Sequence, residues 1–138
     1  MALRLFPPSV TAGTSASTAL PLYRDVLWQD GRPVYRGGSP VLATGLDALR
    51  GWIWRALMTA RYDWPIHSRR YGCELEQLAG RPYTAAVKTS EAQRMVRDAL
   101  EVNPYITGVQ RVRVSFSETT LSITAEVRTV YGEAIVNV

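Results

Sequence analysis

From Leu121 to Arg128 the chain alternates without exception: Leu121, Ile123, Ala125 and Val127 are apolar, while Ser122, Thr124, Glu126 and Arg128 are polar. Successive side chains of an extended strand point to opposite faces, so this pattern predicts a strand with one buried face. Val112, Val114 and Phe116 alternate with Arg113 and Ser115 in the same way, and Ser117-Glu118-Thr119-Thr120 reads as the turn between the two strands. Tyr131-Gly132 is a further break, and Glu133 to Val138 is a short terminal strand. An antiparallel sheet with one apolar face needs a covering layer.

The cover lies upstream. Leu46, Leu49, Ile53, Ala56 and Leu57 recur at helical spacing and predict a helix that starts at Thr44 and fades near Thr59. Thr44 is placed to cap it, and Asp47 stands at the capping-box position. Gly51 costs the helix interior about 1 kcal/mol relative to Ala, which points to close approach of another backbone. Consecutive helical residues step by about 100°, so Trp52, Ile53 and Trp54 cannot share one core strip. Either Trp52 or Trp54 flanks the stripe, packed under the 62–71 loop or against another protein. A second long helix is predicted from Tyr83 or Thr84 to about Val102, with Ala85, Ala92, Val96, Ala99 and Leu100 buried, and Asn103-Pro104 stops it. Between the helices, Pro65 enforces a loop, Tyr71-Gly72 reads as a tight structural turn, and Glu74–Gly80 fits a short helix that ends on glycine.

Ahead of the first helix, Tyr23–Trp28 and Arg32–Tyr35 flank Asp30-Gly31, a two-residue hairpin signal, and Pro33 confines its strand to an edge. Gly37-Gly38-Ser39-Pro40 reads as a break, and no internal repeat is evident. Residues 1–21 hold one charge before Tyr23, at Arg4, and no periodic apolar pattern. They read as an extended N-terminal arm that orders on a neighbour through Leu3, Leu5 and Phe6, or else as a plain tail. The expected fold is therefore α+β: an antiparallel sheet with two long helices packed on one face, the domain spanning 22–138 and the arm 1–21.

Composition narrows the chemistry. A single Cys73 excludes an internal disulfide and a cysteine-based zinc site, and a single His67 leaves no His-dependent triad with a second imidazole. His67 is expected to be a satisfied structural residue and Cys73 a buried small hydrophobe. Glu74 and Glu76 are two residues apart and would point to different faces of a helix, so no acid–nucleophile pair is legible, and no glycine-rich phosphate loop is present. The reading is of a non-enzyme with no catalytic, cofactor or metal site. Fifteen of the 16 basic residues are Arg, scattered from Arg4 to Arg128 among acids with only Arg69-Arg70 adjacent. A nucleic-acid-binding domain would gather them on one face, so it stands only as an alternative, as does a small cell-wall hydrolase. No apolar run reaches the roughly 18 residues of a membrane span, and the N-terminus lacks the apolar stretch of a secretory signal.

Gly45-Leu46-Asp47-Ala48-Leu49, Ile53, Ala56-Leu57-Met58-Thr59, Arg61-Tyr62, Pro65-Ile66, Tyr71-Gly72-Cys73-Glu74-Leu75 and Leu78 follow one another in an order and spacing that resemble the sheath-initiator, or tail-lysozyme-like, family of contractile phage baseplates. The likeness covers about residues 22–138. The aromatic start near Trp28 looks like the branch found in phages and phage-like particles. The resemblance implies a structural wedge subunit of the virion tail baseplate, assembled in the host cytoplasm, which touches other wedge subunits and tail tube or hub proteins and starts polymerisation of the sheath protein. It implies no nucleic-acid or membrane partner. The family often carries a Glu-Pro-Arg triplet after the second helix. Here Asn103-Pro104-Tyr105 stands in its place, and the three are expected at the surface as part of an interface, where Tyr105 would substitute stacking or a hydroxyl bond for a salt bridge. The lysozyme label does not transfer without a carboxylate pair.

Between Glu133 and Val138 the chain has one charge and no proline, so the terminal strand is an edge without the usual protection. Either it is satisfied within the domain, or Glu133, Ile135, Val136 and Val138 form an interface that accepts another chain's strand.

Overall fold

The computed structural model describes residues 19–117 and 120–138, so Leu3, Leu5 and Phe6 lie outside the described residues. The alternation of the last third builds one antiparallel sheet, ordered β7 (Ile106–Phe116), β8 (Leu121–Thr129) and β9 (Gly132–Asn137). Two helices complete an α+β fold. They are α1 (Gly45–Met58), of 14 residues, and α2 (Ala85–Leu100), of 16. The second ends two residues before the expected Val102. α2 packs on β7, α1 packs on β9, and the helices touch each other. The apolar stripes meet there: Leu49, Ile53, Val96, Leu100 and Val127 are wholly buried. No helix among the described residues is long and apolar enough to cross a membrane.

Several local expectations need correction. β7 begins at Ile106, six residues before the alternation that announced it. Register shifts between Ile106 and Gly108 and between Val109 and Arg111 insert extra residues, so Ile106, Val109 and Val112 are buried at a spacing of three and the period of two is lost. Ala85 is exposed at the first turn of α2, and Met95 is buried instead. Thr44 stands at the N-cap of α1 but makes no side-chain capping bond. Gly45 beside it has φ 62° and donates its N–H to the Tyr23 carbonyl at 2.9 Å. The Glu74–Gly80 segment is a single 3₁₀ turn, Leu75–Leu78.

The largest correction concerns residues 24–44. Gly37-Gly38-Ser39-Pro40 is no break but the tip and return strand of a second hairpin. β1 (Arg24–Val26) pairs with β6 (Leu42–Thr44), β2 (Trp28–Gln29) with β3 (Arg32–Pro33), and β4 (Tyr35–Arg36) with β5 (Ser39–Pro40). The three ribbons radiate from a ring of backbone bonds: Leu27 N–H to Val41 O at 2.7 Å, Val34 N–H to Leu27 O at 2.9 Å, and Val41 N–H to Val34 O at 2.9 Å. Both tips are two-residue turns with positive φ, 49° and 73° at Asp30-Gly31 and 55° and 80° at Gly37-Gly38, which is the type I′ geometry that matches strand twist. Leu27, Val34 and Val41 are spaced by seven because Trp-Gln-Asp-Gly-Arg-Pro and Tyr-Arg-Gly-Gly-Ser-Pro are copies of one hairpin plan. The repeat was legible and is the signal that would have found this junction.

Tyr23 joins the junction to the sheet. Its N–H donates to the Tyr131 hydroxyl at 2.8 Å, and its ring meets Tyr105 edge-on at 4.9 Å. Burial first, and then the Asp25 carboxylate, push the Tyr23 phenol up to about 12. A phenol whose folded pKa lies above the ordinary value of 10.0 adds stability that is fully present below pH 10 and lost as pH rises through 12. The phenolate absorbance of the folded protein is therefore expected to show a transition near pH 12 that Tyr23→Phe removes. Identical titrations of the two proteins would contradict this.

Candidate functional site

The free edge of β9 follows from ladder parity. Ile123 and Val138 exchange both backbone bonds, at 2.8 and 2.9 Å. Bonded and non-bonded pairs alternate in an antiparallel ladder. Ala125↔Val136 and Val127↔Ala134 are then bonded pairs, and Thr124↔Asn137, Glu126↔Ile135 and Arg128↔Glu133 are not. The N–H and C=O groups of Glu133, Ile135 and Asn137 therefore point away from β8. No backbone bond among the described residues reaches them.

The opposite edge is treated differently. Because Ala125 turns its backbone to β9, Val112 across from it on β7 faces outward, and Gln93 Nε2 on α2 donates to its carbonyl at 3.0 Å. One acceptor on that edge is thus met by a helix side chain, while Glu133, Ile135 and Asn137 on β9 keep their backbone donors and acceptors unused.

β9 opens onto a groove of about 570 Å³. Its near side is Ile135–Val138, and its far side is the β2–β3 hairpin and the outer face of α1, with Trp28, Gly31, Arg50 and Trp54. The hairpin is held there by contact. Trp28 and Trp54 stack at 5.6 Å between ring centroids, and the Arg55 guanidinium sits 5.3 Å from the Trp28 ring while it pairs with Asp25. A Cβ on Gly51 would come within 3.2 Å of the Trp28 side chain, so the close approach at this glycine is by an indole and not by the backbone expected there. The second hairpin has no such seat. Tyr35 is 61% exposed, and neither Gly37 nor Gly38 has a neighbour within 4 Å of a notional Cβ.

The other sequence-derived positions divide. Glu133 and Ile135 are exposed, Val136 is buried against the helices, and Val138 is half-buried. The Glu133 carboxylate accepts from Gln110 Nε2 at 3.2 Å and lies 3.7 Å from Arg128. Asn103 and Tyr105 turn inward, which corrects their reading as surface residues. The Asn103 side-chain oxygen accepts the Tyr105 N–H at 2.9 Å, and the Tyr105 hydroxyl donates to the Pro21 carbonyl at 2.7 Å. Pro104 alone of the triplet is exposed. Tyr105 does stack, but on Tyr131 of its own chain at 6.1 Å.

Tyr71 and Gly72 close the loop after α1. Cys73 N–H donates to Thr59 O at 2.9 Å, Arg61 N–H donates to Cys73 O at 3.0 Å, and the Arg61 guanidinium reaches the Gly72 carbonyl at 3.1 Å. Trp52 packs edge-on against Tyr71 at 6.0 Å, so Trp52 lies under this loop and Trp54 faces the hairpin. His67 is exposed rather than structural, in tilted contact with Tyr71 at 4.6 Å. Burial pushes the Cys73 thiol up, away from the thiolate, and it sits in the core. No group of three or more His, Cys, Asp or Glu among the described residues is placed to hold a metal ion. Along β9 the described surface offers unused backbone donors and acceptors at Glu133, Ile135 and Asn137.

The family model described as the contractile injection system sheath initiator matches residues 24–132. The phage-like element PBSX protein XkdS of Bacillus subtilis (strain 168) is 34% identical over 104 residues, which cover 68% of this chain and 74% of that protein.

Proposed function

The chain belongs to the contractile injection system sheath initiator family, and from that premise we propose that it is a structural subunit of a contractile-tail baseplate, in the virion tail, that starts sheath assembly by lending β9 as a template strand. The observation that carries this reading is the row of unused backbone groups at Glu133, Ile135 and Asn137, which opens onto a groove. Backbone bonds give an added strand its affinity, and the alternating side chains give it register. The partner is the sheath protein. Other wedge subunits and the tube or hub proteins would meet the rest of the surface, where Pro104 and the Tyr35 hairpin are exposed. Residues 1–21 would lie extended on a neighbouring subunit, and 22–138 would form the wedge domain. No step in this role calls for catalysis.

The test is seeding. Purified sheath subunits mixed with substoichiometric amounts of this protein should polymerise with a shortened lag, and the Ile135 and Asn137 amides should gain protection from hydrogen exchange. An unchanged lag with no protection would overturn the reading. In the same assay on assembling baseplates, a chain lacking residues 1–18 should keep its fold but incorporate poorly. Incorporation equal to the full chain would make the segment a tail.

A further inference from the structure

We infer that the groove beside β9 selects which strand is added: it takes an extended segment of the sheath subunit that turns an apolar side chain onto the Trp54–Gly31 wall and a carboxylate toward Arg50. This rests on the reading that β9 accepts a strand, and adds what that strand must carry.

An added strand lies about 4.8 Å from its neighbour in the plane of the sheet, and its alternate side chains fall on the two faces. On β9 the helix-facing side is marked by Ala134 and Val136, both buried. Side chains of the incoming strand on that same side would enter the groove lined by Trp28, Gly31, Arg50 and Trp54. Those on the other side would lie beside Ile135, which is 60% exposed.

The far wall is already in place. Gly31 presses so near the Trp54 ring that a Cβ there would stand 2.7 Å from it, and Trp54 is stacked in turn on Trp28. A wall held at both ends restricts the size of what fits between it and β9, so little ordering cost falls on the protein at docking.

The charge at the rim decides the polar partner. Arg50 is exposed, and its one ion pair among the described residues, with Asp47 one turn earlier, is a long 3.7 Å contact between side chains 49% and 68% exposed. Such a surface pair holds the guanidinium weakly and leaves it available. Asp30, at the hairpin tip, lines the same groove and disfavours an acid placed against it. The incoming strand is thereby read twice, for a carboxylate at the Arg50 position and for its absence at the Asp30 position. Contacts of this kind govern partner choice and encounter rate.

The experiment compares seeding of the sheath subunit by Arg50→Glu, Arg50→Lys and Ile135→Pro proteins. Arg50→Glu should seed at least about tenfold more slowly than the parent, Arg50→Lys should stay within about twofold, and both should melt with the parent, since Arg50 is exposed. Normal seeding by Arg50→Glu together with failure of Ile135→Pro would overturn the selection by the groove and leave the added strand standing. Normal seeding by both would remove the added strand and the selection with it. Equal loss for Arg50→Glu and Arg50→Lys would also count against a carboxylate partner read by charge.

Discussion

Gly72→Val is expected to cost about 3 kcal/mol of stability or more, enough to lower the melting temperature by roughly 10 °C. Two independent terms add. Gly72 has φ 98°, outside the regions that an L side chain adopts with ease, and a β-branched residue is the least tolerant there. A Cβ would also stand 2.8 Å from the Thr59 carbonyl oxygen and 3.1 Å from the Arg61 backbone. Those atoms are fixed by the bonds that join Thr59 and Arg61 to Cys73, so they cannot yield cheaply. The clash falls at the end of α1, directly over buried Cys73 and Leu75. Gly72→Ala should show most of the loss, because the first carbon is what collides. Arg70→Ala, on the exposed part of the loop, should change stability by less than about 0.5 kcal/mol. Thermal melts of the three proteins decide the matter, and a Gly72→Val melt superimposed on the parent would show the reasoning to be wrong.

Ile135→Pro is expected to abolish sheath assembly while the baseplate still incorporates the subunit. The N–H that proline removes belongs to a non-bonded pair with Glu126, so the β8–β9 ladder loses no bond. The residue before it, Ala134, already lies in the strand, where the restriction imposed by proline is met. The proline ring projects from the free edge, in the path of an added strand. Two controls separate the causes. Val136→Pro removes a donor that is spent within the ladder and should destabilise the fold itself. Ile135→Ala removes the exposed side chain but keeps the donor, and should still support sheathing. Sheathed particles at parental frequency with Ile135→Pro would refute strand addition at β9.

The candidate site was half legible in the residues. Glu133 to Val138 contains so little charge that an unprotected edge could be read directly, and Ile135 was placed on it. Asn103 and Tyr105 were misplaced because their partners, each other's polar groups and the Pro21 carbonyl, are not visible in local pattern. The hairpin at Tyr35–Pro40 was missed although its glycine pair and its seven-residue spacing from Trp28–Pro33 were present. Two glycines followed by Ser-Pro were read as punctuation, when a type I′ turn wants that composition at its tip.

Periodicity is a property of neighbours two, three or four residues apart, which is why β8, β9, the stripe of α1 and most of that of α2 could be written down from the chain alone. Only the first half of the sheet's first strand, before Val112, escaped, because two bulges put its buried residues out of step. Which backbone groups along the sheet edges stay free was decided only by the tertiary structure. Gln93 covers Val112 from a helix 19 residues away, and the bonded pair Ile123–Val138 fixes the parity that turns Ile135 outward. Likewise, two hairpins of one plan have different fates because α1 offers one seat, at Gly51 and Trp54, and Trp28 occupies it. A local pattern can specify that an edge or a hairpin exists, but whether it is covered depends on what the folded chain brings beside it.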